Sequence, residues 1–151
     1  MPIPNVSSDP AHLVAAFFYL LDERRYGDLV ALFDRDGRWL RRGEDLIGRA
    51  AIRSAMERRS STMLARHVVS NSFTTVSADP TATVVAYITT YQSDDGQHHH
   101  PPTRIDRPIR LSVVETAMRL NGDGWRITAM EMSPQFEFVD SASNRVREAS
   151  T

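Results

Sequence analysis

Ala65-Arg66-His67-Val68-Val69-Ser70-Asn71 sets an imidazole into an alternating run, on the side shared with Val69 and Phe73. Successive side chains of a strand point to opposite faces, so a titratable ring on the apolar side faces an interior. The stretch opens a series of four long strand-like segments: about Leu64 to Ala78, Thr81 to Ser93, Arg107 to Leu120, and Trp125 to about Phe138. The turns Asp79-Pro80 and Asn121-Gly122-Asp123-Gly124 separate the first pair and the last pair. Strands of this length exceed the common size, which predicts a strongly curved antiparallel sheet with bulges, the adjacent Val113-Val114 marking one. Curvature creates a concave side. The segment Asp94 to Asp106, with Gly96, three histidines and Pro101-Pro102, reads as an irregular loop and a candidate lid.

Ahead of the strands the period changes from two to about 3.6. Asp9-Pro10 is a strong helix start, since aspartate caps free amides and proline tolerates the first helical position. The helix is predicted to run to about Arg25. Leu13, Phe17, Leu20 and Arg24 form one stripe, widened by Val14, Phe18 and Leu21, and Ala15, Tyr19, Asp22 and Tyr26 line its neighbouring edge. Gly27 is expected to break the run, and Asp28-Leu29-Val30-Ala31-Leu32-Phe33 reads as a short second helix capped by Asp28. Gly37 to Arg42 and Asp45 to Gly48 read as a small hairpin turning at Gly43-Glu44, and Arg49 to about Arg59 as a third helix with Ile52, Ala55 and Met56 inward. Three helices followed by a meander imply an α+β fold, helices packed on one side of a bent antiparallel sheet, with a cone-shaped pocket between them.

Composition narrows the function classes. The 151 residues suit one domain, with residues 1–8 as an extension, 9–138 as the domain and 139–151 as a flexible polar tail. Eighteen basic and 19 acidic residues leave a net charge of −1, which gives nucleic acid or anionic lipid no global attraction. The absence of cysteine excludes disulfides, thiolate nucleophiles and Cys-based zinc sites and fits a reducing compartment, the cytoplasm by default. No window approaches the length of apolar sequence that a membrane span requires.

The order and spacing of Leu21-Asp22, Leu29-Val30-Ala31-Leu32-Phe33, Trp39, Gly48, Arg66-His67-Val68-Val69-Ser70-Asn71 and Gly124-Trp125-Arg126-Ile127 resemble the nuclear transport factor 2-like superfamily. Within it the sequence is most similar to SnoaL-like proteins, a set that includes polyketide cyclases, scytalone dehydratase, hexachlorocyclohexane dehydrochlorinase and β subunits of ring-hydroxylating dioxygenases. The resemblance spans about Pro10 to Phe138 and implies the cone-shaped, cystatin-like fold. In the dehydratase and the dehydrochlorinase an aspartate late in helix one pairs with a histidine on the first long strand. By motif position these fall on Asp22 and His67.

An aspartate that accepts a hydrogen bond from one imidazole nitrogen fixes the tautomer and favours the imidazolium, freeing the other nitrogen to take a proton from substrate. The expectation is therefore an Asp22–His67 general base acting, without cofactor or metal, on a small apolar or polycyclic carbonyl compound, as a dehydratase, isomerase or cyclase. Tyr19, Tyr26, Tyr87 and Tyr91 are candidate substrate-binding hydroxyls for a developing enolate, and Asn71 a candidate donor. Met56, Met63, Met118, Met130 and Met132 offer adaptable apolar surface. His98-His99-His100 does not read as a metal site, because consecutive residues on an extended chain point to alternate sides. Arg41-Arg42 and Arg58-Arg59 read as solvated faces. A homodimer paired through its sheets is expected. The other reading of the same cone is a non-catalytic module that binds a small ligand or assembles with a larger iron-containing subunit.

Overall fold

The computed structural model describes residues 9–139; the expected extension at 1–8 and the tail from 140 onward lie outside the described residues. Helix α1 spans Pro10–Asp22, with the Asp9 carboxylate accepting from the Ala11 N–H at 2.9 Å. It stops three residues short of the expected Arg25. The Arg25 N–H returns to the Leu20 carbonyl and the Arg24 N–H to that of Leu21, a Schellman closure with Arg24 in the left-handed region at φ 57°. The Arg24 guanidinium donates to the Ser60 and Met63 carbonyls at 2.6 and 2.7 Å, which ties this strained corner to the connection before the long strands.

Helix α2 spans Tyr26–Ala31, so Gly27 lies inside it and Phe33 already belongs to the next strand, against the expected break and span. Strand β1 (Phe33–Arg41) turns through Arg42-Gly43, both at positive φ, into β2 (Glu44–Ile47); the turn falls one residue earlier than predicted. Helix α3 spans Arg49–Glu57 and buries Ile52, Ala55 and Met56 as its period requires. Strands β3 (Leu64–Val76), β4 (Thr81–Ser93), β5 (Arg110–Asn121) and β6 (Gly124–Glu137) follow.

The six strands form one curved sheet in the order β2-β1-β6-β5-β4-β3. It is antiparallel except where β1 lies parallel to β6, a pairing the hairpin reading did not anticipate. Between Phe33 and Arg38 the chain of β1 bulges past β6, and a Cβ on Gly37 would stand 2.8 Å from the Ile127 carbonyl, so only glycine fits this close approach. Helix α1 packs on β3 and β4, and α3 on β1 and β2, which closes the concave side. Phe17 centres the core, its ring edge-on to Phe18, Phe33 and Trp39 at 5.0 to 6.0 Å between centroids.

Bulges fall at other places than Val113-Val114, which pair regularly with Ser133 and Met132. In β6 the extra residues lie between Ile127 and Ala129 and between Pro134 and Phe136, and in β3 the register slips between Ser70 and Phe73. Asn71 takes φ 51° there. One inserted residue reverses which side chains face inward, so His67 and Val69 point to the helices while Phe73 is 70% exposed on the opposite face. The expected common side of His67 and Phe73 is thereby corrected, and Asn71 serves the bend in an exposed position.

Candidate active site

Asp22 is the last residue of α1, and the helix end delivers its carboxylate to the start of β3. One oxygen accepts from the His67 backbone N–H at 2.8 Å, and the other stands 2.6 Å from the ring Nδ1. The side chains are 7% and 9% exposed, so both hydrogen bonds operate with little competition from water. A carboxylate in the last turn of a helix sits at the negative end of the dipole, and these two donors offset that unfavourable position. Phe18 lies against the imidazole at 5.2 Å between ring centroids and restricts its rotation. With Nδ1 engaged, Nε2 is left to whatever occupies the adjoining space.

That space is a cavity of about 90 Å³ with His67 in its wall. Register explains the wall. His67, Thr90 and Arg110 sit opposite one another on β3, β4 and β5, and the neighbouring row brings Ser112 beside Pro134 of β6. Helix α1 contributes Leu21, β1 contributes Trp39 and Arg41, and the segment after α3 contributes Arg59 and Met63. Met132 completes the apolar part, whereas Met56, Met118 and Met130 belong to the buried core.

The four tyrosines lie elsewhere. The inward positions of β4 are Ala82, Val84, Ala86, Ile88 and Thr90, so Tyr87 and Tyr91, at odd positions, face the other way. Tyr91 lines a separate groove with Thr103 and Ile105 from the 94–109 loop. Tyr19 is exposed on the outer side of α1. Tyr26 stands behind the wall, its hydroxyl accepting from Arg59 at 3.2 Å and from Arg24 at 3.4 Å. As direct substrate-binding hydroxyls these four positions are thus corrected by strand parity and helix face. His99 is inward but lies 3.7 Å from Asp95, and no group of three or more metal-ligating side chains occurs among the described residues.

The arginines depart furthest from expectation. Arg58 does pair with Glu44 in solvent. Arg41 and Arg59, by contrast, are half-buried in the cavity wall, joined by Arg110 and by the exposed Arg42 at the rim. The Arg41 guanidinium lies over the Trp39 ring at 5.3 Å, and burial, then the charges of Arg42 and Arg59, push its pKa down. Among the described residues no carboxylate lines the cavity. The available signal was alternation in β1, which puts Arg41 on the side of Trp39, and a polar Ser112 in the inward series Ser112, Val114, Thr116, Met118.

Comparison with known proteins adds the following. The SnoaL-like domain family matches residues 11–131. No curated protein matches the chain. Among solved structures, ActVI-ORFA from Streptomyces coelicolor superposes with a TM-score of 0.69 at 15% identity, covering 83% of this chain and 93% of that one. A provisionally assigned scytalone dehydratase from Novosphingobium aromaticivorans gives 0.68 at 16% identity, covering 86% and 85%. An NTF2-like protein with a cystatin-like fold from the same genus gives 0.65 at 22% identity, covering 89% and 82%. At these identities the likeness is one of fold.

Proposed function

The chain belongs to the SnoaL-like domain family, and from that premise we propose that it is a cofactor-independent lyase, isomerase or cyclase of small molecules, with His67 as general base. The observation that carries this reading is the nearly dry Asp22–His67 contact beside a cavity. Nε2 removes a proton from carbon next to a carbonyl, and the bonding pair moves onto the carbonyl oxygen. The enolate then expels a β leaving group, is reprotonated elsewhere or attacks a second carbonyl within the same molecule. Asp22 supports the imidazolium that forms and afterwards returns its proton. The names of the structural neighbours, which include a dehydratase, are compatible with this class. The test is turnover of a panel of aromatic β-hydroxy ketones. Positioned proton transfer contributes about 10²–10⁴-fold, so His67→Ala is expected to lose that much rate while keeping its fold. Full activity in His67→Ala would refute the role.

The outer sheet face supports a homodimer. Val68, Phe73, Tyr87 and Phe136 are large, exposed and aligned on the side away from the helices. A self-complementary apolar face of this kind suits a second copy of the chain. Sedimentation is expected to give twice the monomer mass for the native protein and the monomer mass for Phe73→Glu/Tyr87→Glu. A native monomer would overturn the assembly.

A further inference from the structure

Two polar atoms in the cavity wall have no hydrogen-bond partner among the described residues: the indole Nε1–H of Trp39 and the hydroxyl of Ser112, on residues that are each 1% exposed. A buried donor without an acceptor costs about 1–3 kcal/mol, a cost that a ligand acceptor removes. Both stand in a wall that also holds Arg41, Arg42, Arg59 and Arg110 and, among the described residues, not one carboxylate. Arg110 is neutralised by Glu137 at 3.0 Å. Arg59 is held in the wall by its bonds to the Leu21 carbonyl, the Tyr26 hydroxyl and the Met63 sulfur. Arg41 stacks on Trp39 and, like the exposed Arg42 at the rim, makes no ion pair among the described residues, so its charge stands open to a guest beside the Trp39 donor.

Resting on the general-base reading above, we propose that the substrate is an aromatic or alicyclic acid whose carboxylate is held by Arg41, with Trp39 Nε1–H and the Ser112 hydroxyl as further donors, while its carbon skeleton reaches His67. A neutral apolar guest would cover the Arg41 cation and both donors without compensating any of them, at a cost that burial makes larger. A carboxylate compensates all three and forms the charge-assisted bonds guanidinium geometry favours. Phosphate fits less well: Leu21, Trp39, Met63, Met132 and Pro134 make much of the wall apolar, and among the described residues none from the first turn of a helix lines it.

The experiment is calorimetric titration of the intact protein with benzoate and with its neutral isostere benzamide, followed also by the Trp39 Nε1–H resonance. Benzoate is expected to bind about tenfold or more tightly than benzamide, to shift that resonance and to weaken as salt rises. Arg41→Gln is expected to erase the preference and Arg41→Lys to keep most of it; Ser112→Ala, a second and milder variant, lowers benzoate affinity alone. Equal affinity for the two probes, or an unchanged preference in a folded Arg41→Gln, would overturn the assignment. His67→Ala separates the two claims: it is expected to retain benzoate binding, so a failure of catalysis leaves this result standing, and a failure of acid recognition leaves the base untouched.

Discussion

Replacing Asp22 by asparagine tests the dyad without emptying its space. In the native protein one carboxylate oxygen accepts from the His67 N–H at 2.8 Å and the other faces Nδ1 at 2.6 Å. The backbone N–H can only donate, so it obliges the asparagine to place its carbonyl oxygen there. The amide NH₂ then points at Nδ1, and Nδ1 must become the acceptor. The single proton of the neutral ring moves to Nε2, and the base is lost although every contact remains. The stability cost is that of exchanging two charge-assisted bonds for neutral ones, about 2–3 kcal/mol in urea denaturation. Asp22→Ala leaves both donors unpaired in a site with almost no water access, and about 3–5 kcal/mol is expected. The assay is a long-range ¹H–¹⁵N correlation of the His67 ring at a pH where it is neutral. The native protein is expected to carry its proton on Nδ1 and Asp22→Asn on Nε2, with turnover down by about 10²–10⁴-fold. The same tautomer in both proteins, or equal rates, would refute the reasoning.

Asn71 holds φ 51° at the bulge that turns His67 inward and Phe73 outward; Asn71→Gly is expected to be neutral within about 0.5 kcal/mol and Asn71→Val to cost roughly 1–2 kcal/mol by thermal denaturation. Arg24→Ala loses two charged-donor bonds to the Ser60 and Met63 carbonyls while keeping the left-handed strain, at about 2–3 kcal/mol, and Arg24→Gly is expected to recover roughly 1 kcal/mol of that. Asp94 accepts from the Thr62 and Ser60 hydroxyls at 2.7 and 3.0 Å, and these bonds, Thr62 foremost, hold its carboxyl below the ordinary 3.8. Because the folded value is the lower one, the tie is fully in place above the unfolded value and is lost as pH falls through the folded one. A ¹³C titration is expected to give a midpoint below 3.8 that rises in Ser60→Ala/Thr62→Val; an unmoved midpoint would contradict the assignment.

Hydrophobic period carried the architecture: the 3.6-residue stripe of Leu13, Phe17 and Leu20, and the length of the later alternating runs, were enough to place helices on a bent sheet. Boundaries failed where backbone hydrogen bonds beat local signals. Gly27 was absorbed into α2 because Leu29 packs and caps the turn at Arg25, and α1 ended early because its Schellman closure used Arg24 where glycine is usual. Parity failed in two ways. A single residue inserted at Asn71 moves Phe73 to the far face, and residue type alone does not place Tyr87 and Tyr91, whereas the uniformly apolar Ala82, Val84, Ala86 and Ile88 define the inward side. The arginines are not legible from charge counted per segment. Strand alternation places Arg41 beside Trp39 whatever its neighbours in sequence carry.

The most direct measurement is carbon-bound deuterium incorporation by NMR, in D₂O, into an aromatic keto acid incubated with the protein. Exchange at the carbon beside the ketone reports proton removal itself, whatever step follows. The native protein is expected to exchange that position about 10²–10⁴ times faster than a folded His67→Gln variant. Equal exchange by the two proteins, or none above buffer while the acid is bound, would contradict a general base at His67.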